Sequence, residues 1–419
     1  MATLIKNVRI VNVDGTQVGD ILVRDGKFAK VGGTISPGEG DEVVDGGGLC
    51  AIPGIVDMHV HLRDPGQTHK EDIISGCAAA AAGGVTSLVC MPNTVPTVDS
   101  PETVAYIKQK AAATGIHVYP AAAITYGIAG NGCCDYVALQ AAGAAALSDD
   151  GRPVEDDEML LTALQEGQKL ELPILCHCED LKQAAGGKVH EGTVSEVLGV
   201  KGLSSSSEYG DIDRTIKLAE RCGAPVHICH VSTKESIQII REAKARGVRV
   251  TCETAPHYFV YTCEKVLSRD ADYRMNPPLR EEADRLAVIE GLLDGTIDAI
   301  ATDHAPHSPE EKADFVAAPN GVIGMETSLA ATLTFMGDKL SLEDIVKLMS
   351  YNPANIMGIE GGAIKEGATA DFVLLDPKEK WVVDVDKLHG KSKNAVFKGV
   401  ELTGRVKATY CDGKLVFGE

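Results

Sequence analysis

No stretch of this sequence stays apolar for the roughly 20 residues that a membrane-crossing helix needs. It holds no low-complexity tract. The amino terminus, MATLIKNVRIVNVDG, lacks an apolar core followed by a small-residue cleavage site, so a cytoplasmic location is expected. Positive charge is scarce: 40 Lys and Arg stand against 60 Asp and Glu, a net charge of −20. Nucleic-acid binding needs a basic stripe, and none is present. An anionic substrate would have to be met by local positive groups. The 12 cysteines form no Cys-x-x-Cys pair; Cys133-Cys134 and Cys176-x-Cys178 have neither zinc-knuckle nor redox spacing. Most lie in apolar runs such as LVCMP, ILCHC and HICH and read as buried small hydrophobes. Disulfides are not expected in the cytoplasm. No Gly-x-Gly-x-x-Gly opens a helix after the first strand, which argues against a doubly wound sheet.

What is there is a soluble-protein composition, 44% hydrophobic and 24% charged. The 419 residues suffice for one large domain and a small one, or for two to three ordinary ones. Residues 3–50 show short alternating strands broken by Asp14-Gly15 and Asp25-Gly26, which are hairpin signals. Residues 369–419 look alike, with Asp412-Gly413 as another such signal. Chain termini often lie close together. Segments 1–50 and 359–419 are therefore expected to form one small β-sandwich. Between them, residues 51–358 alternate apolar runs with amphipathic helical stretches such as Pro101–Thr114 and Lys234–Ala245. Eight runs are countable: IPGIVDMHVH, VTSLVCMPN, HVYPAAAI, AAALSDD, LPILCH, PVHICH, VRVTCETAPH and DAIATDHAPH. Eight strand-then-helix units predict an α/β fold, a (β/α)8 TIM barrel.

The runs end in polar residues. The first carries His59 and His61, two apart, so both rings share one side of a strand; Arg63 follows. The second ends in Asn93 and the fourth in Asp149-Asp150. The fifth, sixth, seventh and eighth end in His177, His230, His257 and Asp303. A lone histidine is usually structural, and His117, His190, His227 and His389 are read that way. In a barrel, however, side chains at the carboxyl ends of strands converge on one pocket. Burying so many polar groups is costly unless something binds them. Four histidines with Asp150 and Asp303 exceed one catalytic zinc, which takes about four ligands including water. They suit two ions sharing a bridging carboxylate.

Asp57-x-His-x-His, His177, His230 and Asp303 resemble the amidohydrolase superfamily. The segments HLRDPG (61–66), MPNT (91–94), SDDG (148–151), HCED (177–180), APHY (255–258), NPPLR (276–280) and TDHAPH (302–307) resemble the class I dihydroorotase family over nearly the whole chain. The resemblance implies one or two zinc ions. His59, His61 and Asp303 would hold one, His177 and His230 the other, and Asp150 would bridge them. Many superfamily members bridge with a carboxylated lysine, but AAALSDDG offers none. Asp149 competes with Asp150; strand alternation points it the other way, and the family pattern favours Asp150. Arg63, Asn93 and His307, with His61 beside them, resemble residues that hold the substrate's carboxylate and ring. Asn276 and the backbone at Asn320 and Gly321 resemble ring contacts. His257 has no assigned role, and His304 is expected to point away from the site. Pro309–Gly321 is a candidate lid.

The implied reaction is the reversible cyclisation of N-carbamoyl-L-aspartate to L-dihydroorotate in de novo pyrimidine biosynthesis. The resemblance implies that metal-bound hydroxide would attack the ring amide and that Asp303 would shuttle the proton. The resemblance allows a homodimer and a complex with an aspartate carbamoyltransferase. Two rivals remain. Dihydropyrimidinases, hydantoinases and allantoinases typically carry the bridging lysine and lack an arginine two residues after the histidine pair. A non-catalytic paralogue scaffolding a carbamoyltransferase would have lost metal ligands, and this chain retains them all.

Overall fold

The computed structural model describes residues 2–418. The amino-terminal strands are β1 (Thr3–Asn12), β2 (Gly15–Arg24), β3 (Lys27–Val31), β4 (Glu42–Asp45) and β5 (Cys50–Pro53). The middle of the chain supplies β6 (Ile55–Val60), β7 (Val85–Cys90), β8 (His117–Ala122), β9 (Ala146–Leu147) and β10 (Leu175–Cys176). It continues with β11 (Val189–His190), β12 (Gly202–Leu203), β13 (Val226–Ile228), β14 (Val250–Thr254) and β15 (Ala299–Ile300). The carboxyl-terminal strands are β16 (Phe372–Val382), β17 (Glu401–Cys411) and β18 (Lys414–Gly418).

The middle strands build two four-stranded parallel sheets, in the orders β6-β7-β8-β9 and β10-β13-β14-β15. Parallel bridges join them on both sides, Leu147 with Ile174 and Val60 with His304. A helix follows each strand; three examples are Ile73–Gly83 after β6, Pro101–Ala111 after β7 and Lys234–Ala245 after β13. These helices start where the sequence supplies a cap. Asp72 accepts from the Ser75 backbone N–H at 2.8 Å, and Ser100 stands before Pro101, which has no N–H to lose in the first turn. All six residues of β6 and all six of β7 are buried, as expected of parallel strands covered on both faces. Inside, Val56, Met58, Val89, Met91 and Leu175 pack together with Ala354 and Met357 of the helix Asn352–Met357.

The chain ends do not form two separate sheets. They share one mixed sheet, ordered β18-β17-β16-β5-β1-β2-β3, with β4 parallel to β1. The expected sandwich is thus replaced by a single rolled sheet. The cause is β5, which pairs in parallel with β1 and antiparallel with β16 and so makes the two ends continuous. Rolling brings Phe28 of β3 to 5.7 Å from Phe372 of β16, which stacks on Tyr410 of β17 at 4.5 Å. Along β16 the two-residue period divides the labour. Phe372 and Leu374 join this inner core, while Val373 and Leu375 pack against the helical middle.

Candidate metal centre and substrate cavity

The carboxyl ends of the middle strands surround a cavity of about 250 Å³. Its walls carry His61, Arg63, Asn93, Asp150, His177, His230, Asn276, Asp303, His307, Asn320 and Gly321, together with Gly151 and Ala305. His59 lies beneath, fully buried. Strand β6 ends at Val60, and Arg63 reaches the cavity through a left-handed backbone with φ 59° rather than by strand alternation. His230 and Asp303 also have positive φ, 35° and 47°. A left-handed residue with a Cβ costs about 1–3 kcal/mol, and three of them meet at this one place.

Asp150 stands at the middle of the histidines. Its carboxylate lies 3.2 Å from His59 Nε2, 3.4 Å from His61 Nε2, 3.6 Å from His230 Nε2 and 3.7 Å from His177 Nδ1. Asp303 Oδ1 is 3.2 Å from His61 Nε2 and 3.6 Å from His59 Nε2. Two donor sets share Asp150: His59 with His61, and His177 with His230. The donor set fits a divalent ion of the zinc type, nitrogen and carboxylate oxygen without excess charge. The buried His59 Nε2 and Asp150 Oδ1 have no hydrogen-bond partner, which a bound cation would supply. Asp149 faces the other way, accepting from the Ile124 N–H at 2.7 Å, the Thr125 N–H at 3.1 Å and the Thr125 hydroxyl.

The far side of each ring decides which nitrogen faces inward. His59 Nδ1 meets Glu253 Oε1 at 3.1 Å, and His61 Nδ1 meets Asn93 Oδ1 at 2.8 Å. Both partners accept, so Nδ1 carries a proton on both rings; with a cation bound, Nε2 would turn its lone pair inward. The same bond orients Asn93. Its oxygen is engaged by His61, so its NH2 is turned towards the cavity, where Gly151 makes room; a Cβ on Gly151 would lie 3.3 Å from Asn93 Nδ2. His177 differs: Nδ1 faces His230 Nε2 at 2.9 Å, and Nε2 is 3.6 Å from Glu179 Oε2.

Charge follows this geometry. Burial pushes the Asp150 carboxyl up, but His59 and then His230 hold it well below the usual carboxylate range. Burial likewise opposes ionisation of Asp303, yet the hydrogen bond to His61 and the charge on His59 hold it at about 2. Burial lowers Arg63 to about 10, so the guanidinium is still charged at neutral pH. Arg63 Nε donates to Pro306 O at 3.2 Å, and its NH2 lies 3.3 Å from His307 Nε2. His307 is pushed down to about 3, by burial and then by Arg63, and is neutral. Its Nε2 donates to Asn320 O at 2.9 Å, so it cannot also accept from Arg63. Arg63 and the Asn93 amide thus give this wall an excess of donors.

The remaining candidates are partly committed elsewhere. Asn276 donates to Glu179 at 3.2 Å, the Asn320 side chain accepts from Arg274 at 2.9 Å, and the Gly321 N–H donates to Arg274 O at 2.9 Å. Gly321 has φ 139°, and a Cβ there would sit 2.7 Å from the Ala305 Cβ. His257 is buried outside the cavity wall and pushed down to about 4 by burial. His304 turns its ring to Glu71, 3.8 Å away. Glu253 is not among the residues expected from sequence. A carboxylate in the middle of a strand run is the signal that could have found it, because a buried acid must be paired. His227, read as structural, lies 3.4 Å behind Glu253.

Comparison with known proteins shows the family of the chain. Residues 48–236 match the family model described as dihydro-orotase-like, and residues 272–417 match the amidohydrolase family. The dihydroorotase of Geobacter sp. (strain M21) is 45% identical, covering 100% of this chain and 99% of that protein. The dihydroorotase of Geobacter metallireducens is 47% identical over 96% of this chain and 95% of that protein. Among solved structures, the L-hydantoinase (dihydropyrimidinase) from Arthrobacter aurescens superposes with a TM-score of 0.89 at 28% identity, covering 100% of this chain and 96% of that one. The dihydropyrimidinase from Brevibacillus agri NCHU1002 gives 0.86 at 25% identity, covering 100% and 95%.

Proposed function

The chain belongs to the dihydroorotase family of amidohydrolases, and from that premise we propose how its own residues carry out the reversible ring closure of N-carbamoyl-L-aspartate to L-dihydroorotate. The two parallel sheets are the halves of one closed (β/α)8 barrel spanning about residues 51–358, a reading supported by the bridges at both seams. It docks on the β-unit of residues 1–50 and 359–419, to whose sheet β5 also belongs. The enzyme is cytoplasmic; among the described residues no helix is long and apolar enough to cross a membrane.

His59, His61 and Asp303 would hold one zinc ion, His177 and His230 a second, with Asp150 between them. Bound there, divalent ions supply Lewis acidity, making water acidic enough to attack at neutral pH and polarising the ring carbonyl. Glu253 and Asn93 hold the His59 and His61 rings so that Nε2 faces the centre. Held at about 2, Asp303 is ionised at neutral pH and begins as a proton acceptor. In the hydrolytic direction its carboxylate takes the proton of the attacking water and passes it to the departing ring nitrogen. Arg63 and the Asn93 amide bind the substrate carboxylate, joined by His307 when its Nε2–H exchanges Asn320 O for the ligand, and so orient the ring; Asn276, Asn320 and Gly321 line its other edge.

The observation that carries this reading is the wall of surplus donors directly beside the acid and histidine cluster. A ring that bears a carboxylate next to its reactive amide needs both. Hydantoin and dihydrouracil carry no such carboxylate. The test is turnover of L-dihydroorotate, dihydrouracil, hydantoin and allantoin by one preparation, with metal analysis of the same sample. Dihydroorotate is expected to be strongly preferred, with at least one divalent ion per chain. Preference for a ring without the carboxylate, or full turnover with well under one ion per chain, would contradict it.

A further inference from the structure

The geometry points to Asn394 as a positioning residue for the substrate carboxylate; this rests on the reading of Arg63 and His307 as its binders. Asn394 lies in the segment before β17, far in sequence from every cavity residue, and is 3% exposed. It does not line the cavity. Its Nδ2 donates to Ala305 O at 3.2 Å and to Gly321 O at 3.0 Å, and its Oδ1 accepts from the His307 N–H at 3.2 Å. Its own carbonyl accepts from the Ile323 N–H at 3.0 Å.

One side chain therefore ties both strands of a loop at its neck: the outgoing chain at 305 and 307 and the returning chain at 321. That loop carries His307, Asn320 and Gly321 into the cavity. Pro306 O, between the two tied residues on the outgoing side, is the acceptor for Arg63 Nε. The position of the guanidinium is thus referred, through Pro306, to Asn394. Neighbours of Asn394 hold the facing loop, where Arg63 resides. Ser392 Oγ donates to Lys70 O at 2.7 Å, and the Lys391 N–H reaches Glu71 at 3.2 Å. Asparagine is the small side chain that both donates twice and accepts. Aspartate has the same shape but would set negative charge against the carbonyls of Ala305 and Gly321.

The test compares Asn394→Asp and Asn394→Ala with the parent on L-dihydroorotate and on dihydrouracil, at enzyme concentrations high enough to follow the poorer substrate. A misplacement of about 1 Å near reacting groups can cost on the order of 10²-fold. KM for dihydroorotate is expected to rise by about 10-fold or more, with a smaller fall in kcat. The fall in kcat/KM for dihydrouracil, which shares the Asn320 and Gly321 ring contacts but has no carboxylate to lose, should be clearly smaller than that for dihydroorotate, and metal content should stay at the parental level. Equal losses on the two substrates, or a lowered Tm with unchanged kinetics, would overturn the inference. So would failure of both variants to accumulate folded, since Asn394 would then serve the fold and not the pocket. Arg63→Met in the same assay separates the two levels. If it leaves the substrate preference unchanged, the carboxylate reading itself fails. If it alone abolishes the preference, only the role of Asn394 fails.

Discussion

Replacing Arg63 by methionine should remove the enzyme's preference for a carboxylated ring. The side chain is 8% exposed, and burial lowers its pKa only to about 10, so a full charge faces the cavity at neutral pH. Only its bond to Pro306 O is an unambiguous donor–acceptor pair, since His307 Nε2 already donates to Asn320 O. Donors of the guanidinium therefore remain for a ligand, and its planar fork matches a carboxylate at two points. Methionine keeps the apolar stem and adds no new backbone strain, because the parent residue already holds φ 59° with a Cβ. Losing a charge-assisted hydrogen bond costs about 1.5–3 kcal/mol, or roughly 10- to 150-fold in kcat/KM at 1.4 kcal/mol per decade. Lysine should restore only part of this, since the fork is lost. The assay is kcat/KM for dihydroorotate and for dihydrouracil, parent against variant, with metal content measured on each preparation. The ratio of the two constants must fall by about that factor. Equal proportional losses would mean that Arg63 supports the site without reading the substrate, and the argument would be refuted.

Asp303→Asn keeps the shape of the side chain but cannot take up the proton; kcat should fall by about 10²-fold or more, and near-parental turnover with metal retained would remove Asp303 from that role. His117, at the start of β8, meets Asp371 of the end sheet at 3.1 Å, and that hydrogen bond raises its pKa above the ordinary 6.5. A raised histidine contributes stability that is fully present below about pH 6.5 and is lost as pH climbs through the folded value. In urea melts the parent's lead over His117→Phe should therefore be largest near pH 6 and shrink towards pH 9; a lead that does not change with pH would sink the idea.

Much of the site was legible because its residues stand at the ends of apolar runs. His59 and His61 could be placed side by side from the two-residue period, and His177, His230 and Asp303 near strand ends because each closes an apolar run. Arg63 was less legible. Its place depends on a left-handed turn that no alternation rule anticipates. Glu253 and Asn394 were hidden for another reason. Each acts through a partner distant in the chain, His59 for one and His307 for the other, and nothing local marks such a pairing. The hairpin signals at both ends located β1, β2, β17 and β18. They could not say that β5 would stitch the ends into one sheet, because strand order depends on long-range pairing that alternation does not encode.

That stitch has a consequence for how the protein is made. β5 pairs Pro53 with Phe372 and Cys50 with Leu375, so the strand it awaits is among the last to leave the ribosome. At about 5–20 residues per second the interval is on the order of tens of seconds. All four residues of β5 are buried in the finished molecule. In the nascent chain they form a bare, apolar sheet edge of the kind that pairs with strangers. Fragments ending before β16 keep that edge permanently and should be recovered as aggregates. The full chain, when overproduced, should gain yield from slower synthesis or added chaperone, which guard one strand until its late partner arrives.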